Sequence, residues 1–124
     1  VTIDIDLDEL IEDCRDRQWR WDGVDLDTMT AQDRALFIRQ QMLALIVECT
    51  ELLNCWQWKS WAAPQEQGKL KATRGEMLAE VADVFFFLGN LLAAGGVRSR
   101  EIQVALEAKR NIIESRHGSG EYKG

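Results

Sequence analysis

The 124 residues are 46% hydrophobic and 29% charged, with one proline and nine glycines. That composition excludes a disordered, collagen-like or Pro-rich chain and fits one domain over residues 1–124. Fifteen Lys and Arg against twenty-one Asp and Glu leave a net charge of −6, which repels a polyanion, so no nucleic-acid partner is expected. Cys14, Cys49 and Cys55 lack CxxC spacing and His117 stands alone, which argues against a zinc site or a disulfide framework. With free thiols and no cationic-then-apolar leader, the expected location is the cytoplasm.

In chain order, an alternating start (Val1 to Asp6) is followed by a first helix from about Leu7 to Trp21. Trp19 and Trp21 at its end are expected to be packing anchors. A second helix opens near Thr30, whose hydroxyl with Asp33 forms an N-cap, and meets no breaker until about Trp58. Ala62 to Leu70 is a loop, rich in Gly, Pro and polar residues. Thr73-Arg-Gly-Glu76 has the capping-box spacing, so a third helix starts there and ends at Gly95, expected to be its C′ residue. Ser99 opens a fourth helix that fades near Arg116, and residues 117–124 form a glycine-rich, flexible tail.

The second and third helices are apolar nearly all the way round. Met42 to Val47 and Val84 to Leu88 put bulk on every side, since neighbours on a helix sit about 100° apart. Four helices cannot cover both, so a second subunit is expected to supply part of the burial. The same apolar stretch, Met77 to Val97, holds Glu80 and Asp83, which a bilayer centre would penalise by about 2.5 kcal/mol or more each, so a buried helix is expected there and no membrane partner.

Within this apolar pair lie Glu48 and Glu51 on one helix and Glu80 and Asp83 on the other, each pair at i, i+3 and so on one face. On an exposed helix such pairs usually form a solvated face. Here Val47, Leu52 and Leu53, and Val81, Val84 and Phe85, surround them. Four carboxylates in a low-dielectric bundle repel unless protonated or paired with cations, and the flanking segments supply almost no Lys or Arg. Hard divalent cations with oxygen ligands answer that need. The di-iron alternative uses Glu-x-x-His pairs, and neither helix contains a histidine. Glu76, one turn before Glu80, is a further carboxylate whose place the capping box already explains.

The segment Glu48-Cys-Thr-Glu51 with Trp56-Gln-Trp58-Lys59-Ser-Trp61, followed by Glu80-Val-Ala-Asp83 and Phe87, closely resembles the all-α nucleoside triphosphate pyrophosphatases. These include the dimeric dUTPases, the dCTP pyrophosphatases and the MazG proteins. The resemblance covers Arg39 to Leu92 well and the C-terminal segment more loosely. It implies an all-α, four-helix-bundle-like fold completed by oligomerisation, as a homodimer or homotetramer. It also implies an enzyme that hydrolyses a deoxynucleoside triphosphate between its α and β phosphates, most simply dUTP and water to dUMP and diphosphate. By the resemblance, Glu48, Glu51, Glu80 and Asp83 hold Mg²⁺, with Mn²⁺ as a substitute, and Glu51 is also the base for the attacking water.

The resemblance further places Trp58 and Phe87 at the base and Lys59 at the phosphates, and it makes Lys109, Asn111, Arg116, Tyr122 and Lys123 a closing lid. Taken without it, Trp58 is a packing residue, Lys59 a charge favourable to a helix C-terminus, and the last residues a solvated tail. Trp56-Gln-Trp58-Lys59 is similar to the dCTP enzymes, whereas Trp58-Lys59-Ser-Trp61 and the Tyr122-Lys123 ending lean to dUTPases. Two alternatives therefore stand beside dUTP hydrolysis. One is action on dCTP or another dNTP, the other a non-catalytic helical interaction module.

Overall fold

A computed structural model describes residues 6–118, in which four helices follow one another without a sheet: α1 (Leu7–Asp22), α2 (Ala31–Leu53), α3 (Arg74–Ala94) and α4 (Ser99–Gly118). The alternating start, apart from Asp6, and the tail beyond Gly118, which includes Tyr122 and Lys123, lie outside the described residues.

The caps are those the sequence specifies. Asp6 Oδ1 accepts from the Glu9 amide (3.2 Å), and Thr30 Oγ1 accepts from Asp33 (3.1 Å). Thr73 Oγ1 accepts from the Glu76 amide (3.1 Å) and donates to Glu76 Oε1 (2.9 Å), so Glu76 serves the helix start through the Thr73 hydroxyl rather than through the Thr73 amide of a full capping box. Gly23 takes φ 67° after α1, a left-handed conformation that favours glycine. After α3 that conformation falls on Gly96 (φ 65°), while Gly95 stays right-handed as the C-cap, one residue off the expectation.

α3 packs against both α1 and α2. Ile11, Leu26, Phe37, Ala93 and Ala94 form the core, where α1 and the loop after it close over the end of α3. Two arginines satisfy the carbonyls that end α3: Arg15 donates to Ala93 O (3.2 Å), and Arg34 donates to Ala94 O and to Leu26 O. α1 crosses α3 at Gly89, whose missing side chain leaves room for Cys14 and Leu10. α4 is attached by its first turn, where Ser99 donates to both carboxylate oxygens of Asp8 (2.9 and 2.8 Å) and Arg98 reaches Glu12 (3.2 Å). Beyond Ile102 the described residues of α4 are exposed.

Three expectations change. α2 ends at Leu53 and not near Trp58, because the chain turns at Asn54 and pairs back on itself: Trp56 bridges Leu70, Lys71 N donates to Cys55 O, and Gly68 N donates to Gln57 O. Lys59 is therefore in a loop and meets no helix dipole. Trp19 and Trp21 are exposed in the single chain, Trp21 to 75%, as is Cys49, whereas Cys55 is a buried filler. α2 buries only Phe37 among its residues and leaves Leu36, Met42, Leu43, Ile46 and Val47 exposed. α3 is long and apolar enough to cross a membrane, but it is clasped between α1 and α2 and turns Glu80, about a third of the way along, toward Glu48 of α2.

Candidate metal centre

α2 and α3 run antiparallel, so their seam can be read in layers. Seven residues bring a helix back to nearly the same direction, roughly 10 Å further along its axis. Glu48 meets Glu80 and Asp83 in one layer, with one carboxylate oxygen from each lying within 4.8 Å of the others. One layer toward the N-terminal end of α2, Asn90 Nδ2 donates to Gln41 Oε1 at 2.9 Å.

Glu48 and Glu80 are half-buried and Asp83 is exposed. The Oε2 atoms of Glu48 and Glu80 are buried with no hydrogen-bond partner. No described Lys or Arg forms an ion pair with any of the four family carboxylates. Desolvation, then the adjoining Glu51 and the charges of Asp83 and Glu80, push the Glu48 carboxyl up from 4.5 to about 7. Desolvation, then the charge and contact of Glu51, raise Glu80 too, while its contact with Glu48 works the other way. Unpartnered buried oxygens, an all-oxygen donor set and mutual repulsion fit a hard divalent cation. Glu51 is exposed and stands outside the three-oxygen group, yet it is close enough to perturb both half-buried carboxyls.

Trp58 is half exposed, and its indole Nε1 donates to Asn54 Oδ1 (3.0 Å), which ties it to the C-terminal end of α2. Trp61 meets it edge-on (centroids 6.2 Å apart), and the Lys59 ammonium lies 5.7 Å from the Trp61 ring centre. Phe87 is half-buried one turn after Asp83, toward the Gln41–Asn90 layer. Within one chain Trp58 and Phe87 thus stand on opposite sides of the carboxylates. Lys109, Asn111 and Arg116 lie on the exposed length of α4.

The amide pair is what sequence reasoning passed over. Its one signal is register: Gln41 precedes Glu48, and Asn90 follows Asp83, by seven residues each.

A family model described as dUTPase matches residues 6–118, nearly the whole chain. The chain belongs to this all-α dUTPase family. No curated protein and no solved structure matches it. Family and acidic cluster together make this dUTPase-family chain an enzyme, a dUTPase-like hydrolase within the MazG-like nucleoside triphosphate pyrophosphatases. A non-catalytic module is thereby set aside.

Proposed function

We propose that the enzyme is a Mg²⁺-dependent dUTP pyrophosphohydrolase, with dUMP and diphosphate as products. The observation that carries this is the layer of Glu48, Glu80 and Asp83, a set of converging oxygens with two buried and unpartnered atoms. Glu48, Glu80 and Asp83 would hold Mg²⁺, with Glu51 joining at the edge. When bound, the metal neutralises charge on the triphosphate and acidifies water near the scissile phosphorus.

The remaining roles follow from position. Glu51, exposed beside the buried carboxylates, orients the attacking water and takes its proton. Lys59 and its neighbour Trp58, past the end of α2, belong with the phosphate chain. Phe87 belongs with the sugar and base on the other side. Lys109, Asn111 and Arg116, with Tyr122 and Lys123 beyond the described residues, close over the phosphates in the assembled protein. The exposed apolar side of α2 pairs with a second copy of the chain.

The test is pyrophosphate release from a panel of dNTPs, with and without Mg²⁺. Metal-dependent release with dUTP as best substrate is the expected result. Release of single phosphates, or activity untouched by chelation, would overturn it. Mn²⁺ should restore activity after chelation.

A further inference from the structure

α2 leaves more than one apolar face uncovered, and one of them continues onto α3. Gln41 level with Asn90, and Glu48 level with Asp83, fix the register of the two antiparallel helices. In that register Met42 stands level with Leu88, Ile46 with Val84 and Cys49 with Val81. Along α2 the steps are four residues and then three, along α3 three and then four, the repeat of a helix-bundle seam.

A helix turns about 100° per residue. These side chains therefore lie about 100–160° round from Glu48 on α2 and from Asp83 on α3, in the same rotational sense. Because the helices run antiparallel, that shared sense brings both stripes to one side of the seam. Glu51 departs from Glu48 in the opposite sense, so the carboxylates open on the other side. The result is a two-helix slab of three apolar layers with no charged group among them. Met42, Ile46 and Leu88 are 40–56% exposed in the single chain, Cys49 is exposed, and Val81 and Val84 are half-buried. α3 as a whole wants cover, since an 18-residue stretch of it with a mean hydropathy of 1.7 is only 28% buried.

A slab of two antiparallel helices is half of a four-helix bundle. With no charge on it to select a different partner, the surface that matches it is its own copy, which supplies the same layers at the same spacing about a two-fold axis. A bilayer, the other apolar cover, is opposed by Glu80 and Asp83 on the same helix. We propose that two chains stack these α2–α3 faces on each other to complete a four-helix bundle, with Cys49 buried at the contact. Leu43, about 100° round α2 from Met42, points elsewhere, so this contact is additional to the pairing through α2 given above. Two different two-fold contacts join four chains. The inference goes beyond the pyrophosphatase reading and does not rest on it.

Cys14 and Cys55 are buried, so maleimide labelling of the unmodified full chain reports on Cys49. Labelling should be slow at micromolar protein, faster on dilution, and at least about tenfold faster in Leu88→Asp. That substitution lies two layers, roughly 10 Å, from Cys49, so its effect must come through the second chain. Leu43→Asp should leave Cys49 protected. Sedimentation should find four chains in the wild type and two in either variant, with circular dichroism to establish folding. Should Leu88→Asp not fold, Met42→Asp replaces it. Fast labelling of the wild type at every concentration, or protection that survives both dilution and the folded variant, overturns the inference. So does a wild-type monomer that floats with phosphatidylcholine vesicles, which would give the face to lipid. A wild type of two chains that Leu88→Asp separates and Leu43→Asp does not would uphold this contact and remove the one through Leu43. A wild type that releases pyrophosphate from no dNTP overturns the pyrophosphatase reading and leaves this contact standing.

Discussion

Gly89→Ala measures how tightly α1 is held against α3. A Cβ at Gly89 would lie 2.6 Å from Cys14 Sγ and 3.4 Å from Leu10 Cγ. Ordinary van der Waals contact needs about 1 Å more at the sulfur. Cys14 has little freedom to yield, because it is 1% exposed and its thiol donates to Phe86 O (3.6 Å). Overpacking of this kind costs about 1–3 kcal/mol, and alanine returns about 0.8–1 kcal/mol of helix propensity over glycine. The net expectation is a loss of about 1 kcal/mol in urea denaturation. Cys14→Ala removes the nearest atom and leaves Cys14 Cβ at 3.7 Å, so in that background Gly89→Ala should recover at least about 1 kcal/mol relative to its cost alone. A single Gly89→Ala that stabilises the protein, with effects additive to Cys14→Ala, would refute the close crossing.

Glu51→Gln keeps the helix and removes the base, so kcat should fall at least about 10²-fold in a folded protein; retained turnover would remove Glu51 from the proton transfer. The metal-free protein should lose stability as pH rises. The Glu48 carboxyl is held at about 7 in the fold against an ordinary 4.5, so the folded state binds the extra proton between those values, and melting temperature should fall from about pH 5 to about pH 8. Glu48→Gln should flatten that slope, and Mg²⁺ should raise the melting temperature more at about pH 8 than at about pH 5, which differential scanning calorimetry would show. Self-association should depend on the α2 face that bears Leu36, Leu43 and Val47, with Leu43 63% exposed in the single chain. Burial of a Leu is worth roughly 1.5–3 kcal/mol and a two-fold axis counts it twice, so Leu43→Asp should weaken the dimer at least ~10²-fold in sedimentation. A wild-type monomer that is folded and active at micromolar concentration would refute the interface.

Local chemistry made much of this protein legible from residues alone. Asp33 and Glu76 stand three residues after Thr30 and Thr73, a spacing that marks a helix start when an apolar run follows, and both caps form. The i, i+3 spacing of Glu48 with Glu51 and of Glu80 with Asp83 sets each pair on one helix face before any packing is known. Buried carboxylates without cationic neighbours carry their own demand for a metal. Which faces meet is another matter. α2 and α3 are apolar on nearly every side, and hydrophobic burial has no direction, so periodicity could not say that Gln41 would lie opposite Asn90 or that Trp58 and Phe87 would fall on opposite sides of the carboxylates. The end of α2 was hidden for a related reason, since the residues after Leu53 contain no breaker and the turn is decided by pairing with Leu70, fourteen positions from Trp56. Contacts between residues distant in sequence, each chosen only once the helices are docked, placed Gln41 against Asn90 and brought Glu48, Glu80 and Asp83 within reach of one ion.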